Sequence, residues 1–177
     1  HVFWDMETRM YPALLAQHPD IAEGATAYRQ RLLPGAEAYA AAGGWQGARF
    51  PWESASTGDE QTPTWADTGK YEIHVTADVA LAQWQYYQAT GDEQWLADKA
   101  WPVLEAAADF WASRATRADD GSYHIDDVIA PDEYAVRVDD NVYTNVAAAS
   151  ALRIATAAAK TLGRTPDARW STVADGI

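Results

Sequence analysis

Helical periodicity over three alanine-rich segments constrains this chain more than any other feature. Ile73–Thr90 spaces its apolar residues as an amphipathic helix does, and Gly91 follows as a stop. Asp92–Ala115 repeats the pattern, with Pro102 placed to kink it. Within it Trp101, Leu104, Ala108 and Trp111 stand at i, i+3, i+4 spacing, which assigns them to core packing. Val142–Leu162 reads as a small-residue helix ended by Gly163, and Pro166 opens a last helix. Upstream, Met6–Gln17 predicts a helix bent or restarted at Pro12. Pro19 opens a second that runs to about Leu33, and Pro34-Gly35 breaks the chain before an Ala-rich piece through Ala42. Strand alternation is nearly absent; Tyr123–Ile125 after the Asp119-Asp120-Gly121 turn offers one short hairpin strand. Small side chains let helix axes approach closely. The expectation is an all-α chain of stacked αα-hairpins, of the kind that closes into a toroid.

Two loops interrupt this scaffold. Trp45–Tyr71 is long, polar and aromatic; loops of that length are functional or disordered, and its Trp residues argue against disorder. The second, Ile129–Asn145, reads I-A-P-D-E-Y-A-V-R-V-D-D-N-V-Y-T-N and places Asp132, Glu133, Asp139 and Asp140 among tyrosines and amides. Cleaving a glycosidic bond needs one protonated carboxyl beside groups that hydrogen-bond sugar hydroxyls. Asp132 and Asp140 serve equally well as caps of a turn or helix. On these residues alone both readings stand.

Composition leans toward sugar. Nine Trp and nine Tyr against three Phe favour side chains with an apolar face and a polar edge, suited to stacking on pyranose rings, although large aromatics also fill gaps between Ala-rich helices. A net charge of −13 and a pI near 4.5 argue against nucleic acid and against an anionic membrane surface. No run of 18 apolar residues is present to span a membrane. The absence of Cys removes disulfides and thiolate chemistry and leaves the compartment open. The chain starts at His1 inside an aromatic-rich segment, without an initiator Met or the features of a signal peptide, which predicts a piece of something longer.

Other chemistries lack their parts. His1, His18, His74 and His124 show no metal-ligand spacing, the nucleophile elbow of serine hydrolases is missing, and so is a phosphate-cradling glycine loop. His74 and Asp78 stand at i, i+4, so each can orient the other.

Five blocks in order resemble the catalytic domain of glycoside hydrolase family 65. They are F-W-D-x-E at Phe3–Glu7, Y-R-x-R-x-L-P at Tyr28–Pro34, G-A-R-F-P-W-E-S-A at Gly47–Ala55, E-I-H-V-T-A-D-V-A at Glu72–Ala80, and P-D-E-Y with V-D-D-N-V-Y-T-N between Pro131 and Asn145. The resemblance implies an (α/α)6 toroid, with residues 1–177 forming about its first half and needing the remainder for activity. It makes Glu133 the general acid of an inverting reaction, whose opposing group lies roughly 6.5–9.5 Å away. Trp4 and Asp5 would bind the glucosyl unit, and Trp52, Glu53 and His74 would line the same pocket. Asp132 would tune Glu133 or cap the turn. Ala135 stands where the family often has His, and Met6 and Arg9 stand where Thr and an aromatic are common.

The family holds both hydrolases and phosphorylases of α-glucosides, and the F-P-W-E and E-I-H-V blocks tilt toward hydrolysis of substrates such as trehalose or kojibiose. No cofactor is implied; inorganic phosphate would be a co-substrate if the protein is a phosphorylase. The partner is a small disaccharide or oligosaccharide, and the full-length protein would be able to form a homodimer. A non-catalytic sugar-binding module and a purely structural helical domain are the competing readings from other classes.

Overall fold

The computed structural model describes residues 1–177 and is mostly helical. In chain order the elements are a wide π-helical turn Met6–Met10 running into α1 (Tyr11–Gln17), α2 (Pro19–Arg31), α3 (Leu33–Ala42), α4 (Thr68–Tyr71), α5 (Val75–Thr90), α6 (Glu93–Trp95), a second π turn Leu96–Ala100, α7 (Trp101–Arg114), α8 (Val142–Thr161) and α9 (Ala168–Gly176). Two short strands, β1 (Thr116–Arg117) and β2 (Tyr123–His124), form an antiparallel hairpin between α7 and α8.

At Pro12 the helix restarts, as one of the two expected outcomes, and Pro102 does the same where a kink was expected. Pro12 and Pro102 each sit in the first turn of an α-helix directly after a five-residue π turn. Proline cannot donate to the carbonyl four residues back and its ring crowds that carbonyl. Widening the preceding turn relieves the crowding while the helix continues. Pro34 occupies the first turn of α3, where an N–H is not needed, so α2 stops at Arg31, two residues before the expected end.

The other boundaries follow local chemistry. Gly91 ends α5 in the left-handed conformation (φ 68°), its N–H donating to the Tyr87 carbonyl. Asp92, Asn141 and Asp167 cap α6, α8 and α9, each accepting a backbone N–H through its side chain.

The core lies where α5, α7 and α8 pack together, with α9 against α7 and α8, and α1 and α2 against α5. On α8 the buried face is Ala148, Ala151, Leu152, Ala155, Ala158 and Ala159, which lets the neighbouring helices come close. Trp95, Trp101, Trp111 and Trp170 fill the remaining space, so part of the Trp content is packing. The Trp45–Tyr71 loop is pressed onto α7 at Gly47. A side chain there would meet the Ala106 carbonyl oxygen at 2.0 Å, and Gly47 also has φ 67°, so only glycine fits. Ala48 N–H then donates to the same carbonyl at 2.9 Å, which fixes where the loop starts. No helix is long and apolar enough to cross a membrane.

Candidate active site

Four aromatic side chains from distant parts of the chain converge beside the N-terminal ends of α5 and α8 and the turn that leads into α1. Trp4 and Trp52 lie 6.2 Å apart between ring centroids, tilted by 36°. His74 meets the Trp4 ring edge-on at 4.7 Å and the Tyr143 ring at 4.9 Å, with Trp52 at 6.1 Å. Trp52 is buried, Trp4 half-buried, and Tyr143 39% exposed, so the cluster has a sealed back and an open front.

The sealed back is built on carboxylates. His74, at the entry to α5, is fully buried, and both its ring nitrogens are engaged: Nδ1 with Asp78 Oδ2 at 2.7 Å and Nε2 with Glu72 Oε1 at 3.0 Å. Tyr143 donates its hydroxyl to the other Asp78 oxygen at 3.2 Å. Burial alone favours neutral imidazole, but the hydrogen bonds to Asp78 and Glu72 outweigh it and hold the His74 pKa above its ordinary value. Glu72 is also pushed up, first by burial and then by the charges of Glu133 and Asp78, against the His74 hydrogen bond. Its Oε2 is buried without a partner. A positive helix N-terminus helps hold these carboxylates. With both ring nitrogens engaged, His74 stands behind Trp4 and Tyr143 and supports them.

A second buried network holds Trp4 and Trp52 in register. Glu7 and Arg29 form a bidentate pair (2.6 and 3.0 Å), both buried, and Arg29 Nη1 donates to Ser54 Oγ at 3.2 Å. Tyr28 hydroxyl lies 2.8 Å from the same Ser54 oxygen and donates to the Ala55 carbonyl. Backbone bonds between Val2 and Ser54 (2.8 and 3.0 Å) then clamp the first residues to the Trp52 segment. Three of the sequence blocks thus meet at one ion pair. Burial pushes the Glu7 carboxyl up despite Arg29. Glu60 shapes the rest of the loop, its carboxylate accepting from the backbone of Trp52, Glu53 and Thr62 at 2.8–3.2 Å. Sequence reading missed Glu7, Arg29, Glu60 and Tyr143 as site-builders; all lie in or beside the quoted blocks, but nothing in their spacing announces the pairings.

Asp5 and Glu53 are placed less deeply. Asp5 is exposed and lies 3.5 Å from Arg9, whose guanidinium sits 5.1 Å over the Trp4 ring. Glu53 is partly covered and contacts His1 through the imidazole Nδ1.

Glu133 sits on an exposed loop closed by a bridge between Val128 and Val138 (3.0 and 2.9 Å) and tied to the platform where Ile129 N–H donates to the Tyr71 carbonyl at 3.0 Å. Asp132 Oδ1 accepts from Tyr134 N–H at 3.1 Å, so of its two expected roles the structure shows turn-capping. Asp140 accepts from Ile125 N–H and pairs with His124 Nδ1 at 2.6 Å, while Arg137 grips Asp127 through two bonds. Every non-glycine residue with left-handed backbone lies in this region: Asp127 (φ 59°), Arg137 (57°) and Asp140 (51°). Such conformations persist where surroundings enforce them and cluster at functional loops.

The scaffold is that of the (α/α)6 toroids. A solved structure, "Putative kojibiose phosphorylase from human microbiome", superposes on 99% of the chain with a TM-score of 0.87 at 23% identity, the chain matching 28% of it. The chain belongs to glycosyl hydrolase family 65, matching that family's central catalytic domain over residues 1–173. It is 49% identical to a kojibiose hydrolase of Flavobacterium johnsoniae and 43% identical to a protein-glucosylgalactosylhydroxylysine glucosidase of Dictyostelium discoideum, each across the whole chain. It is 41% identical to a kojibiose phosphorylase of Escherichia coli over 95% of its length. The chain spans about a quarter of each of these relatives (26%, 26% and 24%).

Proposed function

We propose that the chain supplies the glucose-binding platform and the general acid of an inverting glycoside hydrolase that releases glucose from α-glucosides such as kojibiose or trehalose. The observation that carries this reading is the strap from Ile129 N–H to the Tyr71 carbonyl, which ties the Glu133 loop to the segment of Glu72, the carboxylate that engages His74 behind Trp4. In this reading Trp4 stacks on the glucosyl unit and Asp5 bonds its hydroxyls, Trp52 and Glu53 line the pocket, and Glu133 protonates the departing oxygen. The opposing base lies outside these residues. No metal or organic cofactor enters the scheme.

Hydrolysis is preferred to phosphorolysis because relatives named kojibiose hydrolase are 49% and 48% identical, against 41% and 40% for those named kojibiose phosphorylase. Phosphorolysis, with phosphate as nucleophile on the same platform, is the second reading that these relatives support. Glucose release from kojibiose and trehalose by the full-length protein, with and without inorganic phosphate, separates the two. Release without phosphate is expected, and strict phosphate dependence would overturn the hydrolase reading.

A further inference from the structure

Behind the Glu133 loop lies an open recess of about 400 Å³ that the proposed reaction does not use. Arg49, Lys70, Arg114 and Arg137 line it, four of the 13 Lys and Arg in a chain of net charge −13. One carboxylate, Asp127, faces them and is taken up by Arg137. Asp126, Asp67 and Glu60 contribute charge from further off. Such a concentration of like charge raises the free energy of the fold unless something balances it.

The donors are only partly used. Arg49 is buried and spends Nη2 on the Gly69 and Lys70 carbonyls (3.1 and 2.6 Å), while Nε and Nη1 are unbonded yet not sealed off. Arg114 gives one nitrogen to the Asp126 carbonyl. Lys70 has no carboxylate partner, and its ammonium lies 4.8 Å over the Tyr71 ring. Burial lowers the pKa of both Arg49 and Arg114 despite the neighbouring acids, the mark of desolvated, under-compensated cations.

The plain alternative is that these side chains only cover aromatic surface, since Arg49 and Arg114 lie over Trp45 and Arg137 over Tyr71. Stacking accounts for their positions; it leaves the unspent donors and the charge excess unexplained. From the four convergent cations with free N–H groups around one recess we infer that this is a binding site for a small phosphate-bearing anion. Guanidinium forks and an ammonium together match the several oxygens and double charge of a phosphate. The site is separate from the glucoside platform and from any co-substrate phosphate there.

Calorimetric titration of the protein at fixed ionic strength with inorganic phosphate and with glucose 6-phosphate, using glucose as the uncharged control, tests this directly. Saturable binding of at least one phosphate is expected. Lys70→Gln and Arg114→Gln should each weaken it by about tenfold, whereas Arg31→Gln, remote from the recess, should leave it unchanged. Preference for inorganic phosphate or for the ester identifies the source. No saturation by either up to about 10 mM, or equal loss in Arg31→Gln, would overturn the proposal. Binding indifferent to both recess variants would place phosphate elsewhere and overturn it equally. Lys70 is exposed, so its variant remains informative if Arg114→Gln fails to fold.

Discussion

The two halves of the candidate site are held by opposite means. The platform of Trp4, Trp52, His74 and Tyr143 rests on buried charges: Glu7 with Arg29, and Glu72 with His74 and Asp78. The Glu133 loop is exposed and held by turn-capping, a short backbone bridge and ion pairs at the surface. A surface that must keep ring faces in one geometry gains from a rigid base, since loosened positioning weakens every interaction made on it. In the proposed reading the group that gives its proton to the leaving oxygen, Glu133, is carried on the exposed loop. Stability and chemistry should therefore separate on mutation.

The largest effect expected on stability is at Arg29. Replacing it by Met leaves Glu7 buried beside no cation and should cost about 3–5 kcal/mol, read by urea unfolding. The double variant Glu7→Leu with Arg29→Met should recover most of that loss. If Arg29→Met unfolds like the parent, the buried pair does not hold the platform.

Next comes the pH dependence of the platform. The His74 pKa is raised in the folded state, so its contribution is fully present below the unfolded value near 6.5 and is lost as pH rises through the folded value. Glu72, also raised, disfavours folding once pH exceeds its unfolded value near 4.5, so both slopes run the same way. Stability should fall from about pH 4.5 upward through Glu72 and more steeply above about 6.5 through His74, and His74→Gln should flatten the steeper part. An unchanged slope in the variant would contradict the charged His74.

Changes on the loop should be small. Asp132→Ala removes the acceptor for Tyr134 N–H, a bond worth about 1 kcal/mol, and should lower the melting temperature by about 2–4 °C. Asp132→Asn keeps the acceptor and should melt like the parent. Equal losses in both would mean that the charge of Asp132 is what the loop requires.

The contrast also explains what the sequence could disclose. Helices α5, α7 and α8 were legible because apolar spacing and glycine stops are local signals, and Gly91 falls where the left-handed cap is needed. The π turns before Pro12 and Pro102 were not, because relief of a proline clash by widening leaves the apolar pattern intact. In the candidate site, Trp4, Trp52 and Glu133 came from the resemblance of their blocks to the family, since on residue type alone the acidic loop reads equally well as caps. The pairing of Glu7 with Arg29, and of Tyr143 with Asp78 across 65 positions, depends on how the helices stack and has no signature in spacing. His74 shows the same limit. Its i, i+4 partner was visible, but the closure of its other nitrogen by Glu72 follows only from the turn into α5.

The division of labour itself is tested most directly by Glu133→Gln in the full-length protein, with kojibiose binding measured by Trp fluorescence and glucose release measured in parallel. The account predicts that binding stays within about twofold while turnover drops by roughly 10²–10⁴. Turnover within a few-fold of wild type would show that Glu133 is not the acid, and a matching loss of binding would show that loop and platform are one unit.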